Sequence, residues 1–113
     1  MWRDDATLLD IAQVARRIVS FLRGVDEALF APNKEKHWAV VAQLLIIGET
    51  VTRLSAEFRS SYPEIEWAKI SKMRSQLIHG YDKIQWDLVW GTTTENVPQL
   101  PEQIKPLLPA EEP

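Results

Sequence analysis

Apolar residues recur near the start of the chain at Leu8, Ile11, Ala15, Ile18, Leu22 and Val25, alternately three and four apart. That spacing keeps one stripe of a helix apolar along its whole length. Asp4 or Asp5 is placed to cap the helix and Gly24 to end it, with Arg16, Arg17 and Arg23 complementing the dipole. Val14 and Phe21 lie off the seam, so the helix is expected to touch two neighbours or a partner chain.

Asp26 to Phe30 reads as one short helical turn, broken at Pro32. Asn33 then caps a second long helix whose seam runs Val40, Leu44, Ile47, Val51, Leu54 and Phe58. Trp38, Val41 and Leu45 widen that seam. Gly48 costs about 1 kcal/mol of helix propensity against alanine at mid-helix, and a close crossing by another helix would explain it. Glu49, beside it in an apolar segment, is either solvated or held by a cation. The pattern carries this helix to Arg59-Ser60-Ser61, where it frays before Tyr62-Pro63.

A third helix starts at Glu64 or Glu66 and buries Trp67, Ile70, Met73 and Leu77. Gly80 is expected to leave it in a left-handed conformation. Lys69, Lys72 and Arg74 make its outer side the most basic surface of the chain, mostly a solvated face. After a polar link, Trp86 to Trp90 resumes helix. Asn96-Val97-Pro98 reads as a break and restart, followed by a last helix through Leu100, Ile104 and Leu107 that Pro106 ends or kinks. Residues 109–113 read as a frayed tail, leaving one domain over residues 1–108. The fold class is all-α, an up-and-down bundle of four to five helices.

Composition narrows the function more than the fold. The 113 residues include five tryptophans and 45% apolar side chains, enough for one modest core. With no cysteine, disulfides, thiolate metal sites and a thiol nucleophile are excluded. The longest apolar run, Leu44 to Ile47, is far short of a membrane span, and no secretory signal is evident, so the expectation is a cytoplasmic protein. A net charge of −3 excludes bulk electrostatic binding of nucleic acid and leaves only a local groove for it.

One stretch concentrates chemistry: Met-Arg-Ser-Gln-Leu-Ile-His-Gly-Tyr, residues 73–81. On an ideal helix Arg74 and His79 point about 140° apart. A left-handed Gly80 would free His79 to swing toward the guanidinium, with Tyr81 near the mouth of the same cleft. Arginine plus histidine suits cleavage of RNA through its own 2′-hydroxyl. The imidazole moves the proton, and the guanidinium holds the phosphate and its transition-state charge. One histidine is not acid and base at once, so a second copy of the chain, with both stretches on one groove, would complete the site. No metal-ligand cluster or phosphate loop competes, and no cofactor is called for. The same residues also fit a plain helix end, with Arg74 solvated, His79 capping and Tyr81 packed.

Several segments taken together resemble the HepT-like toxins of the HEPN superfamily, small helical ribonucleases of prokaryotic toxin–antitoxin pairs. They are Ile46-Ile47-Gly48-Glu49, Arg53-Leu54-Ser55, Tyr62-Pro63-Glu64-Ile65-Glu66-Trp67, Met73-Arg74, Leu77-Ile78-His79-Gly80-Tyr81, Asp87-Leu88-Val89-Trp90 and Leu100-Pro101-Glu102-Gln103-Ile104. The resemblance implies a HEPN-like homodimer with two Arg–His motifs facing one cleft. It also implies metal-independent RNA cleavage by Arg74 and His79, and a minimal nucleotidyltransferase as the cognate antitoxin. Tyr81 would then be the adenylylation site that silences the toxin, Ser75, Gly80 and Glu49 would support the site, and Trp2 would contact the second copy or the antitoxin. Ser75 stands where the superfamily often has Asn or Asp, and Ala42-Gln43-Leu44-Leu45 where it often has Arg-Asn-Leu-Glu. Trp67, Trp86 and Trp90 are expected to pack, and His37 to be a surface or packing residue. Two alternatives remain: a non-catalytic helical partner of a nucleotidyltransferase, and a structural dimerisation module.

Overall fold

The computed structural model describes residues 4–108, so Trp2 and the expected tail at 109–113 lie outside the described residues. All its regular structure is helical: α1 Asp4–Phe21, α2 Glu27–Phe30, α3 Lys34–Val51, α4 Ala56–Ser61, α5 Trp67–His79, α6 Trp86–Gly91 and α7 Leu100–Ile104. Core residues Leu8, Ile11, Ala15 and Ile18 of α1 are buried, as the seam predicts, against Val40, Leu44, Ile47 and Val51 of α3.

Two polar ties fix α1 and α3 as antiparallel. At one end Lys36 Nζ, early in α3, donates to the Phe21 carbonyl at the end of α1, 2.7 Å away. Lys36 therefore answers the α1 C-terminus, while Arg17 instead reaches Gln43 of α3 at 3.0 Å. At the other end the Asp4 carboxylate accepts from both the backbone N–H and the hydroxyl of Ser55, each at 3.0 Å. Asp4→Ala removes both bonds, and because they are exposed the loss is expected at about 1 kcal/mol, read as a lower urea midpoint.

Ser55 also explains why the second long helix is shorter than its apolar pattern. The helix stops at Val51, and Ser55 caps α4 by accepting from the Phe58 N–H at 3.1 Å. Leu54 is nevertheless buried and Phe58 packs on the core, so the seam stays in phase across a break in the backbone. The cap at Asn33 and the ending of α1 before Gly24 (φ 75°) follow the expected pattern, and Asp26, expected inside the short turn, caps it instead by accepting from the Leu29 N–H.

The C-terminal region departs further. In place of a break and a pair of helices, one helical rod runs from Trp86 to Leu107 and changes type as it goes. A π-helical turn occupies Thr92–Asn96, where the Thr93 hydroxyl donates to the Val89 carbonyl (2.9 Å) and that of Thr94 to the Trp90 carbonyl (2.7 Å). Such back-bonding competes with the amides for those carbonyls and loosens the turn. Pro98, Pro101 and Pro106 each fall in the first turn of a new short segment, where the missing N–H leaves no internal bond unmade. The rod packs across α1.

His37 is a packing residue, and a central one. Its ring is 5% exposed, stacks on Trp86 at 4.0 Å, and has Nε2 2.8 Å from the Phe30 carbonyl. Phe30 in turn meets Trp90 at 5.1 Å, so α2, α3 and the rod are joined by one aromatic cluster. Trp67, Trp86 and Trp90 pack as expected, whereas Trp38 remains 52% exposed and does not widen the buried seam.

Candidate active site

Helix α5 buries Trp67, Ile70, Met73 and Leu77, which turns Arg74 toward the flank of α3. Gly48 makes that approach possible. A Cβ built on Gly48 would lie 2.5 Å from the Arg74 Cβ and 3.3 Å from the Ile70 carbonyl oxygen, so the close crossing expected from the glycine is present. The stem of Arg74 lies over the glycine, and its guanidinium Nη2 meets Glu49 Oε2 at 3.2 Å. Glu49 is thus held by a cation rather than solvated alone. With side-chain exposures of 35% and 49%, the pair orients the guanidinium more than it stabilises the fold.

Arg74 and Glu49 form part of an open groove of about 530 Å³ that also takes in Asp10 and Gln13 of α1, Ile46 of α3 and Ile78 of α5. Arg53 lies on it too, so two carboxylates stand against two guanidinium groups and the groove is charge-balanced. Val14, off the α1 seam, is buried here, which accounts for its second stripe. In Ala42-Gln43-Leu44-Leu45, only Leu45 reaches the groove. Leu44 is in the core and Gln43 is bonded to Arg17.

The remaining predicted site residues lie elsewhere. Gly80 has φ −121° and ψ 30°, not the left-handed conformation expected of it. Its N–H donates to the Gln76 carbonyl at 3.0 Å, and a Cβ there would sit 3.0 Å from that same oxygen. Glycine is used at this position for close approach, letting the chain fold into the 3-10 turn Tyr81–Lys83. Regular helix therefore extends through His79, and the separation of about 140° from Arg74, with about 7.5 Å of rise, is retained. Gly80 lines a different hollow with Met73, Gln76 and Leu77. Ser75 and His79 are exposed and Tyr81 is 70% exposed, and none of the three lines the Arg74 groove. The His79 and Tyr81 side chains have no hydrogen-bond or ion-pair partner among the described residues.

The groove carboxylate Asp10 and the amide of Gln13 were not among the sequence candidates. They are some sixty positions from Arg74, and only the α1–α3–α5 packing joins them. Among the described residues no group of three or more His, Cys, Asp or Glu is arranged to hold a metal ion, and no helix is long and apolar enough to cross a membrane.

A family model described as ribonuclease HepT-like matches residues 11–107, from α1 to the end of the rod. The chain belongs to the HepT-like ribonuclease family. A "Putative RNase" of Methanocaldococcus jannaschii is 32% identical over 100 residues, covering 88% of this chain and 92% of the relative. A "Probable ribonuclease HepT" of Thermococcus cleftensis is 34% identical over 93 residues, covering 82% and 84%. A "Putative RNase" of Caldanaerobacter subterraneus subsp. tengcongensis is 32% identical over 101 residues, covering 89% and 90%. No solved structure matches the chain. The all-α bundle is that of a HepT-like domain, and both the groove and the His79 end of α5 fall within the matched span.

Proposed function

We propose that this HepT-like chain is the ribonuclease toxin of a HEPN–nucleotidyltransferase toxin–antitoxin module, acting as a homodimer. The observation that carries the reading is the ribonuclease family match over a domain in which Arg74 opens on a groove and His79 stands exposed at the end of the same helix. The reaction needs no metal. His79 takes the proton from a ribose 2′-hydroxyl, and the 2′-oxygen attacks the adjacent phosphorus. The bond to the 5′-oxygen breaks, that oxygen takes a proton from water, which the imidazolium then restores, and a 2′,3′-cyclic phosphate remains. Arg74 holds the phosphate and the charge that grows on it, while Glu49 keeps the guanidinium aimed along the groove. Ser75, exposed beside Arg74, offers a hydroxyl to the substrate strand.

The geometry of α5 favours a site shared by two chains. With regular helix through His79, one protomer turns its arginine and its histidine to different sides, so a phosphate that meets both receives them from different copies. A two-fold pairing supplies both combinations at once. Ile46 and Ile78, each 43% exposed at the groove, give such a pairing apolar surface to cover.

Tyr81 is open to an enzyme that transfers a nucleotide to its phenol. Added phosphate and bulk beside His79 would then block RNA by charge and size. That exposure also suits a non-catalytic partner of a nucleotidyltransferase. A purely structural module is less well supported, because the groove is open and Arg74 is not sealed inside it.

Purified protein is expected to fragment RNA in the presence of a chelator and leave 2′,3′-cyclic ends. Incubation with the cognate nucleotidyltransferase and ATP is expected to add mass to the peptide containing Tyr81 and to stop cleavage. Tyr81→Phe should gain no mass and stay active. RNA that remains intact, with Tyr81 still modified, would favour the non-catalytic partner.

A further inference from the structure

At the opposite end of α5, about 18 Å along its axis from His79, is a second feature that the nuclease reading leaves unused. An open hollow of about 580 Å³ is lined by Arg59 and Ser60 of α4 and by Glu66, Trp67, Ala68 and Lys69 at the start of α5. Two buried donors on these residues have no partner: the indole Nε1 of Trp67 and Nε of Arg59. Trp67 is 4% exposed, with its ring 6.4 Å from that of Phe58, and its N–H is buried away from water. A buried donor left unbonded is costly and calls for an explanation, a bound ion or water being one.

The helix end itself is also unfilled. Glu66 occupies the cap position of this thirteen-residue helix but makes no capping bond. Its carboxylate is drawn aside, accepting from Asn96 Nδ2 at 2.8 Å and pairing with Lys69 at 3.9 Å. The first-turn amides of Ala68 and Lys69 therefore have no partner among the described residues. Glu66 is the one carboxylate on the hollow and Lys69 offsets it, while Arg59 has no ion pair with any described residue. The hollow so combines a positive dipole end, an unpaired guanidinium, an unpaired indole donor and a net positive charge.

We infer that this hollow is a phosphate-binding subsite. Its backbone amides and the Arg59 guanidinium grip the oxygens, and the Trp67 N–H completes the set after a small shift of the hollow's floor. The ligand group is a phosphate monoester or diester, carried either by a nucleic-acid backbone or by a free nucleotide. The assignment rests on donors around α4 and α5 and is independent of whether Arg74 and His79 cleave RNA.

The test is a titration of isotope-labelled protein with inorganic phosphate, followed by NMR at the Trp67 indole N–H and the Ala68 and Lys69 amides. Trp67→Phe identifies the indole signal by its loss. Saturable shifts at all three groups are expected with phosphate and not with chloride at matched ionic strength. Arg59→Gln should weaken binding roughly tenfold, and Arg59→Lys, which keeps the charge and loses the Nε donor, by less. A short 2′-deoxyoligonucleotide, which 2′-hydroxyl chemistry does not cut, and adenosine 5′-monophosphate then separate the two sources. Tighter Arg59-dependent binding of the oligomer assigns the subsite to a nucleic-acid backbone, and tighter binding of the monophosphate assigns it to a nucleotide. Silence at Trp67, Ala68 and Lys69 with all three ligands, or shifts that chloride reproduces or that ignore Arg59, would overturn the inference.

Discussion

Gly48→Leu is expected to destabilise the protein by about 2–3 kcal/mol, the upper part of the usual range for overpacking. Even the first atom of a side chain there would lie 2.5 Å from the Arg74 Cβ, and that neighbour is the root of a side chain on a packed helix, not a flexible tip. The Ile70 carbonyl at 3.3 Å blocks the other direction, so α3 and α5 must move apart. Gly48→Ala decides between two opposing effects. Alanine gains about 1 kcal/mol of helix propensity, while the overlap costs more, and a net loss of about 1 kcal/mol is expected. Urea denaturation measures both variants. A Gly48→Ala protein as stable as the parent would mean that the helices do not cross this closely. Because Arg74 rides on the same contact, both variants should also lose cleavage beyond what their stability explains.

Arg74→Ala and His79→Ala are each expected to reduce RNA cleavage by about 10²–10³-fold, the range for losing an electrostatic stabiliser or a general base. Neither change should harm the fold. The Arg74–Glu49 pair is a third to a half exposed and is worth at most about 0.5 kcal/mol after solvent screening. His79 is exposed and has no partner among the described residues. Arg74→Lys keeps the charge but loses the planar fork, so it should fall between the parent and alanine. Cleavage by single-turnover assay and stability by circular dichroism separate the two effects. Loss of both together would make Arg74 a structural residue.

The outline of the bundle was legible because burial repeats every three to four residues and the core enforces that repeat. The same signal overran at α3. Leu54 and Phe58 keep the seam's phase although the backbone is broken by the Ser55 cap, because periodicity reports which side faces the core and not whether the helix is continuous. Prolines misled for a related reason. Pro98 looks like a break, yet in a rod that shifts from π to 3-10 to α its missing N–H leaves nothing unsatisfied. Gly80 was legible as special but not in kind, since glycine serves both a left-handed turn and a close approach, and the latter is what occurs.

At the site, Gly48 pointed to a crossing and Glu49 to a cation, and the packing of α5 showed that the cation is Arg74. Asp10 and Gln13 carried no local signal at all. The orphaned donors of Arg59 and Trp67 were equally invisible, because a missing hydrogen bond exists only once the fold has removed the water.

The reading of Gly80 bears most on mechanism. A left-handed glycine would have let one protomer bring its own histidine toward its own arginine, whereas the observed conformation keeps them on different sides of α5. The direct test is complementation: Arg74→Ala and His79→Ala chains, each inactive alone, are co-folded in equal amounts and assayed for chelator-resistant RNA cleavage. If the site is shared across a two-fold dimer, half the dimers are mixed and each has one intact site, so about a quarter of the parental activity should return. A mixture as inactive as its components would contradict the shared site and place Arg74 and His79 in the same chain's chemistry or outside it.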